Sequence, residues 1–125
     1  MSISRTAKFT LAAVLGLGIA ATAIPAKATG HFDGKWSVVV VTTKGDCDRA
    51  YRYGITIENG DVVYDGGVVS LSGRVAGSGA VRVIVKSGNA RANATGRLNR
   101  RAGSGGWHGN SGQNVCSGYW QASRN

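Results

Sequence analysis

"AVRVIVKSGNARANATGRLN", Ala80 to Asn99, reads as two strands about a turn. In the first run Val81, Val83 and Val85 share one side while Arg82, Ile84 and Lys86 take the other; after Gly88-Asn89, Ala90, Ala92, Ala94, Gly96 and Leu98 oppose Arg91, Asn93, Thr95 and Arg97. Successive side chains of a strand point to opposite faces, so a period of two is the mark of a half-buried antiparallel strand. No helical period appears anywhere after residue 28. The stretch therefore predicts an all-β fold with a small apolar inner face and a basic outer one.

Working outward, the same alternation recurs between glycine-rich turns. "VVSLSGRVA" before Gly77-Ser78-Gly79 puts Val69, Leu71 and Val75 inward and Ser70, Ser72 and Arg74 outward. Earlier come "KWSVVVVTTK", "YRYGITIE" and "DVVYD", the last two joined by Asn59-Gly60, a pair that tolerates the two positive φ angles of a type I′ hairpin. "GGWHGN" and "VCSGYWQASR" complete eight strands. Turns this short join neighbours, which predicts an up-and-down meander; curling until the last strand pairs with the first removes both exposed edges. The expected fold is a small antiparallel barrel of about eight strands over residues 29–125.

The first 28 residues have a basic start at Arg5 and Lys8, an apolar run from Phe9 to Ile24, then Pro25 with Ala26 and Ala28. That is the pattern of a secretory signal peptide, and the run is shorter than the roughly 20 apolar residues of a membrane span. The mature chain carries no transmembrane segment, and the expected location is periplasmic or extracellular. In such a compartment Cys47 and Cys116, the two cysteines of the chain, read as one disulfide rather than metal ligands or a redox pair. Antiparallel closure brings the end of the first strand beside the start of the last, which is where these cysteines lie. Loss of Arg5, Lys8 and Lys27 leaves 12 basic against 6 acidic residues, a net charge of +6 instead of +9. All six acids precede residue 66, and the eight bases from Gly66 onward have no acid among them.

Gly34-Lys35-Trp36 opens the first strand, and Trp120 and Arg124 lie across the seam on the last. Here the chain resembles the calycin superfamily of lipocalins, avidins and a bacterial metalloprotease-inhibitor family, marked by G-x-W on the first strand and a basic residue near the end of the last. Gly34, Trp36 and Arg124 match that pattern, which implies an arginine packed over the indole to close the barrel bottom. "FDGKWSV" and "CSGYWQASR" also make the mature chain similar to a group of small secreted bacterial proteins. Some of that group carry a label of haem utilisation or adhesion.

Candidate chemistry is sparse. His31 and His108 stand near no serine motif, His31 in an N-terminal tail and His108 on an outward-facing position, so neither is placed as catalyst or haem ligand. Asp46 and Asp48 flank Cys47 as turn acids, and no metal or cofactor is implied. Trp36, Tyr51, Tyr53, Tyr64, Trp107 and Trp120 face the alanine and glycine strand either as a pocket or as plain filling, and the shortness of the chain favours filling. The most informative set is Arg74, Arg82, Lys86, Arg91 and Arg97, outward on three consecutive strands and so expected to form one patch. No aromatics are interleaved with them, so the signal for single-stranded nucleic acid is weak. The expected function is an exported, non-enzymatic binding protein whose basic face meets an anionic lipid, polysaccharide or acidic protein. The alternatives are a metalloprotease-inhibitor-like barrel and a binder of haem or another hydrophobic small ligand.

Overall fold

The computed structural model describes residues 30–64 and 66–125. The expected signal peptide, residues 1–28, lies outside the described residues, as does Asp65. Eight strands follow one another: β1 (Gly34–Lys44), β2 (Ala50–Glu58), β3 (Asp61–Val63), β4 (Ser70–Val75), β5 (Ala80–Ser87), β6 (Ala90–Leu98), β7 (Ala102–Ser111) and β8 (Asn114–Arg124). Each pairs antiparallel with the next, and β8 returns to pair with β1 from Trp36↔Arg124 to Lys44↔Ser117. The barrel is closed, and the meander expected from the short turns is the topology observed.

Two stretches, the β3–β4 connection and β7, differ most from the sequence reading. β3 stops at Val63 and β4 starts only at Ser70, because the chain leaves the sheet through Gly66 and Gly67, the latter at φ 80°, and Val68 is left exposed in the turn. β7 runs farther than "GGWHGN" at both ends. Glycine has poor strand propensity, but a β-carbon at Gly103 or Gly105 would run into Leu98 or Thr95 of the neighbouring strand, so close backbone packing, not propensity, makes this strand. Asn59 and Gly60 take φ 51° and 82°, as a type I′ hairpin requires.

One end of the barrel is packed solid. Trp36, Ile57, Val62, Val75, Val81, Leu98, Trp120 and Ala122 form the buried cluster, and Phe32, just before β1, is buried against them as a plug. Arg124 sits beneath, its guanidinium 5.5 Å from the Trp36 ring centroid, donating hydrogen bonds to the carbonyls of His31 and Arg100 (3.1 Å each) and of Asp33. The tail expected around His31 is therefore pinned at the floor, since its carbonyl and the neighbouring Phe32 ring both have partners in the barrel. Trp36 Nε1 donates to the Phe32 carbonyl at 2.8 Å, so the plug satisfies the polar edge of the residue that it covers.

The opposite end is stapled. Cys47, in the β1–β2 loop, is bonded to Cys116 near the start of β8, with a Cα–Cα distance of 6.2 Å and a separation of 69 positions in sequence. An extra residue in β1 between Thr42 and Lys44 makes a bulge against β8 just before this loop, and Thr42 Oγ1 donates to the Asp48 carbonyl at 2.6 Å. Bulges at barrel rims bend a strand away from its partner. Here the bend starts the path that carries Cys47 to Cys116.

Candidate functional site

The basic residues occupy the places their strand parity predicts. Arg74, Arg82, Lys86, Arg91 and Arg97 are all exposed on the outside of β4, β5 and β6. Register adds what parity cannot. Arg74 lies directly opposite Arg82, and Lys86 directly opposite Arg91, so the five residues form two rows instead of one even patch. The upper row runs Ser70, Lys86, Arg91, Asn110 across four strands; the lower runs Glu58, Asp61, Arg74, Arg82, Thr95, with Arg97 two residues farther along β6. Side chains directly opposed across an antiparallel pair have β-carbons about 4.5–5.5 Å apart, and like charges so placed are destabilising. Arg74 gains some relief, since Asp61 Oδ1 approaches its Nε at 3.8 Å, with both side chains well exposed. At that exposure the pair is a weak one. Arg82 and Arg74 also line a shallow outer groove of about 610 Å³ with Val63, Tyr64 and Ile84, formed where β3 ends early.

The interior is the second feature, and it departs from the filled core expected. A cavity of about 170 Å³ runs up the barrel from Trp36 and Ile57 to Tyr51, Tyr53 and Trp107, walled by apolar side chains. Val38, Val40, Ile55, Leu71, Val83 and Ala94 point inward yet stay only partly buried, which independently marks the middle of the barrel as unfilled. The cause is the wall made by β6, where Ala92 and Ala94 line the cavity with little side-chain volume. At the solid end Gly96 and Gly105 are instead roofed by Trp120, whose Nε1 donates to the Thr95 carbonyl at 3.1 Å. A tryptophan fills the space there, and nothing fills it higher up.

The cavity meets a second pocket, of about 260 Å³, at the disulfide end of the barrel. Tyr51, Tyr53, Val85, Ala92 and Trp107 line both spaces and so make the collar between them. Tyr51 and Tyr53 stack with ring centroids 6.0 Å apart, Tyr64 meets Tyr53 edge-on at 5.5 Å, and Trp107 Nε1 is tied to the Val41 carbonyl at 3.0 Å. Burial pushes the Tyr53 phenol above its ordinary pKa, with the neighbouring Tyr64 adding to the shift. Tyr51 is raised as well, by desolvation first and then by its hydrogen bond to Asp48. Of the six aromatics expected to face inward, five line the cavity; Tyr64 stands outside it, on the outer groove.

Other expectations can be placed. Asp46 lies with Cys47 in the β1–β2 loop, and among the described residues no three of His, Cys, Asp and Glu gather as a metal site. His108 is exposed on the outer face of β7, and His31 is exposed at the floor. Sequence reasoning missed Phe32, although a large apolar residue four places before Trp36 is a legible signal. It also missed the neutral row partners Ser70 and Asn110, which only register reveals. Comparison of the chain with protein-family models, curated proteins and solved structures finds no match.

Proposed function

We propose that this chain is an exported, non-enzymatic binding protein whose basic outer face engages an anionic partner. The observation that carries this reading is the direct opposition of Arg74 to Arg82 and of Lys86 to Arg91, with the acids of the lower row, Asp61 and Glu58, gathered at its β2–β3 end. Such an arrangement costs stability in the free protein and is relieved when an anion binds. Export is supported by the pattern of residues 1–28 and by the Cys47–Cys116 bond, which belongs to an oxidising compartment. Arg124 over Trp36 supports kinship with calycin-like barrels.

The test is salt-dependent binding to phosphatidylglycerol vesicles and to an acidic polysaccharide, with paired charge reversals. Exposed charges act over a screening length of about 8 Å at physiological ionic strength, so binding through this face weakens sharply with salt. Arg82→Glu with Arg91→Glu is expected to abolish binding. Lys35→Glu with Lys44→Glu, outside the two rows, is expected to leave most of it. Equal losses from the two pairs would reduce the attraction to net charge, and no salt-sensitive binding to either polyanion would discard this reading.

The cavity favours a second reading, a hydrophobic small-ligand binder. A dry apolar cavity of about 150 Å³ takes benzene in a well-studied case, so about 170 Å³ suits a single ring or a short alkyl chain. Haem gains no support from this volume, and neither histidine faces the cavity. The metalloprotease-inhibitor alternative gains none either: in the family it resembles the N-terminal tail enters the enzyme, whereas here the His31 and Asp33 carbonyls are held at the floor by Arg124. Displacement of a fluorescent apolar probe by benzene-sized ligands, lost in Ala94→Leu, would support the cavity reading. Unchanged probe binding in that variant would end it.

A further inference from the structure

We propose that the two basic rows are a pair of phosphate clamps, and that the ligand carries two phosphate monoesters on a carbohydrate of about disaccharide length. This inference rests on the basic-face reading and names the chemistry the face selects. Lys86 and Arg91 form the upper clamp. Arg82 with Arg74 beside it and Arg97 diagonal to it forms the lower.

The number of charges in each row points to monoesters. Two cations on directly opposed positions converge on a point between them, where a phosphodiester supplies one negative charge and a phosphomonoester about 1.5 to 2 with three acceptor oxygens. A monoester thus neutralises the upper pair, and its oxygens suit a guanidinium fork plus an ammonium. Ser70 and Asn110 extend that row on either side with a hydroxyl and an amide, neutral donors for the remaining oxygens. In the lower row Asp61, with Glu58 beyond it on β2, lies beside Arg74, and Arg82 and Arg97 are the two cations with no carboxylate directly opposite them. Each row thus presents two cations with no acid directly opposite them among the described residues.

The distance between the rows selects the spacer. Arg82 and Lys86 are four residues apart on β5, and at about 3.3 Å per residue that sets the clamps about 13 Å apart. Between them the register places Ser72, Ile84, Asn93 and His108 side by side across β4 to β7, all facing outward and none carrying a carboxylate. Hydroxyl, amide and imidazole groups beside one aliphatic side chain are partners for sugar hydroxyls and a sugar ring face. A bare polyphosphate would leave this middle row unused. The shallow groove beside Arg74 and Arg82, with Val63, Tyr64 and Ile84 in its wall, provides an apolar shelf next to the lower clamp.

The same chemistry is available as a glycolipid headgroup or as a free sugar bisphosphate, and the experiment separates them. The mature, oxidised protein is titrated with vesicles holding a bis-phosphorylated disaccharide glycolipid, its monophosphorylated form, or phosphatidylglycerol at matched surface charge, and with the soluble disaccharide bisphosphate. The bis-phosphorylated vesicles are expected to bind at least about tenfold more tightly than the other two. Lys86→Gln with Arg91→Gln, or Arg82→Gln with Arg97→Gln, is expected to bring that affinity down to the monophosphorylated level, while Lys86→Arg retains it. These positions are exposed, and a cooperative melting curve no lower than the parent's shows that each variant folds. Competition by the soluble bisphosphate at equal concentration identifies a free sugar as a sufficient ligand; competition only by vesicles identifies the lipid-borne form. Equal affinity for all three vesicle types would overturn the clamps while leaving the basic-face reading in place. Loss of all salt-sensitive binding would instead remove the reading on which they rest.

Discussion

Arg124→Ala is expected to lower stability by about 2–3 kcal/mol. Its guanidinium lies over Trp36 at 5.5 Å from the ring centroid, a half-exposed cation–π contact worth about 1 kcal/mol. It also donates to three carbonyls, of His31, Asp33 and Arg100. A hydrogen bond contributes about 1 kcal/mol net, and less where water replaces the lost donor, as it does at the exposed His31 and Arg100 carbonyls. The alanine also removes the side chain whose guanidinium approaches Gly34 and closes the floor beneath Trp36. For a domain of about this size each kcal/mol moves the melting temperature by roughly 4–8 °C, so the loss is about 10–20 °C. Arg124→Lys is expected to recover only part of it, because one ammonium on a flexible stem cannot serve three carbonyls and cover an indole at once. Circular dichroism melts and urea midpoints of the mature, oxidised protein measure both. A melting temperature for Arg124→Ala within about 2 °C of the parent would refute this account of the floor. Full rescue by lysine would show that charge alone matters there.

Two further outcomes follow from the opposite end. Cys47→Ser with Cys116→Ser frees a loop of 69 residues and is expected to cost about 4 kcal/mol by chain entropy, read as a lower urea midpoint; two alkylatable thiols in the oxidised parent would contradict the staple. Because burial raises the Tyr53 phenol above the ordinary tyrosine value of about 10, the native state keeps that proton to higher pH than the unfolded chain does. Its contribution is therefore complete below pH 10 and lost as pH rises above that value. Urea midpoints measured from about pH 8 to 11 should fall less steeply in Tyr53→Phe than in the parent, and identical slopes would remove Tyr53 from the pH response.

The strands, their inward and outward faces and the pairing of the cysteines were all legible in the sequence. The first two depend on a backbone period of two, which each strand carries within itself: Val81, Val83 and Val85 face in wherever the strand goes. Asn59-Gly60 is likewise a local matter of positive φ. The cysteines needed only that the meander close.

Three things belonged to the tertiary structure. Register is set by every turn and bulge around the barrel together, so Arg74 against Arg82 and Lys86 against Arg91 could not be read from either strand alone. Whether the interior fills depends on the summed volume of side chains from all eight strands against the bore that closure imposes. Trp120 fills the floor over Gly96 and Gly105, whereas Ala92 and Ala94 leave the middle open. His31 and Phe32 lie in a short stretch without strand character, and their place was decided by a carbonyl and a ring meeting Arg124 and the core from 93 residues away in the chain. Period and turn chemistry are properties of neighbours in sequence; register, bore and plug are conditions that only a closed barrel can impose.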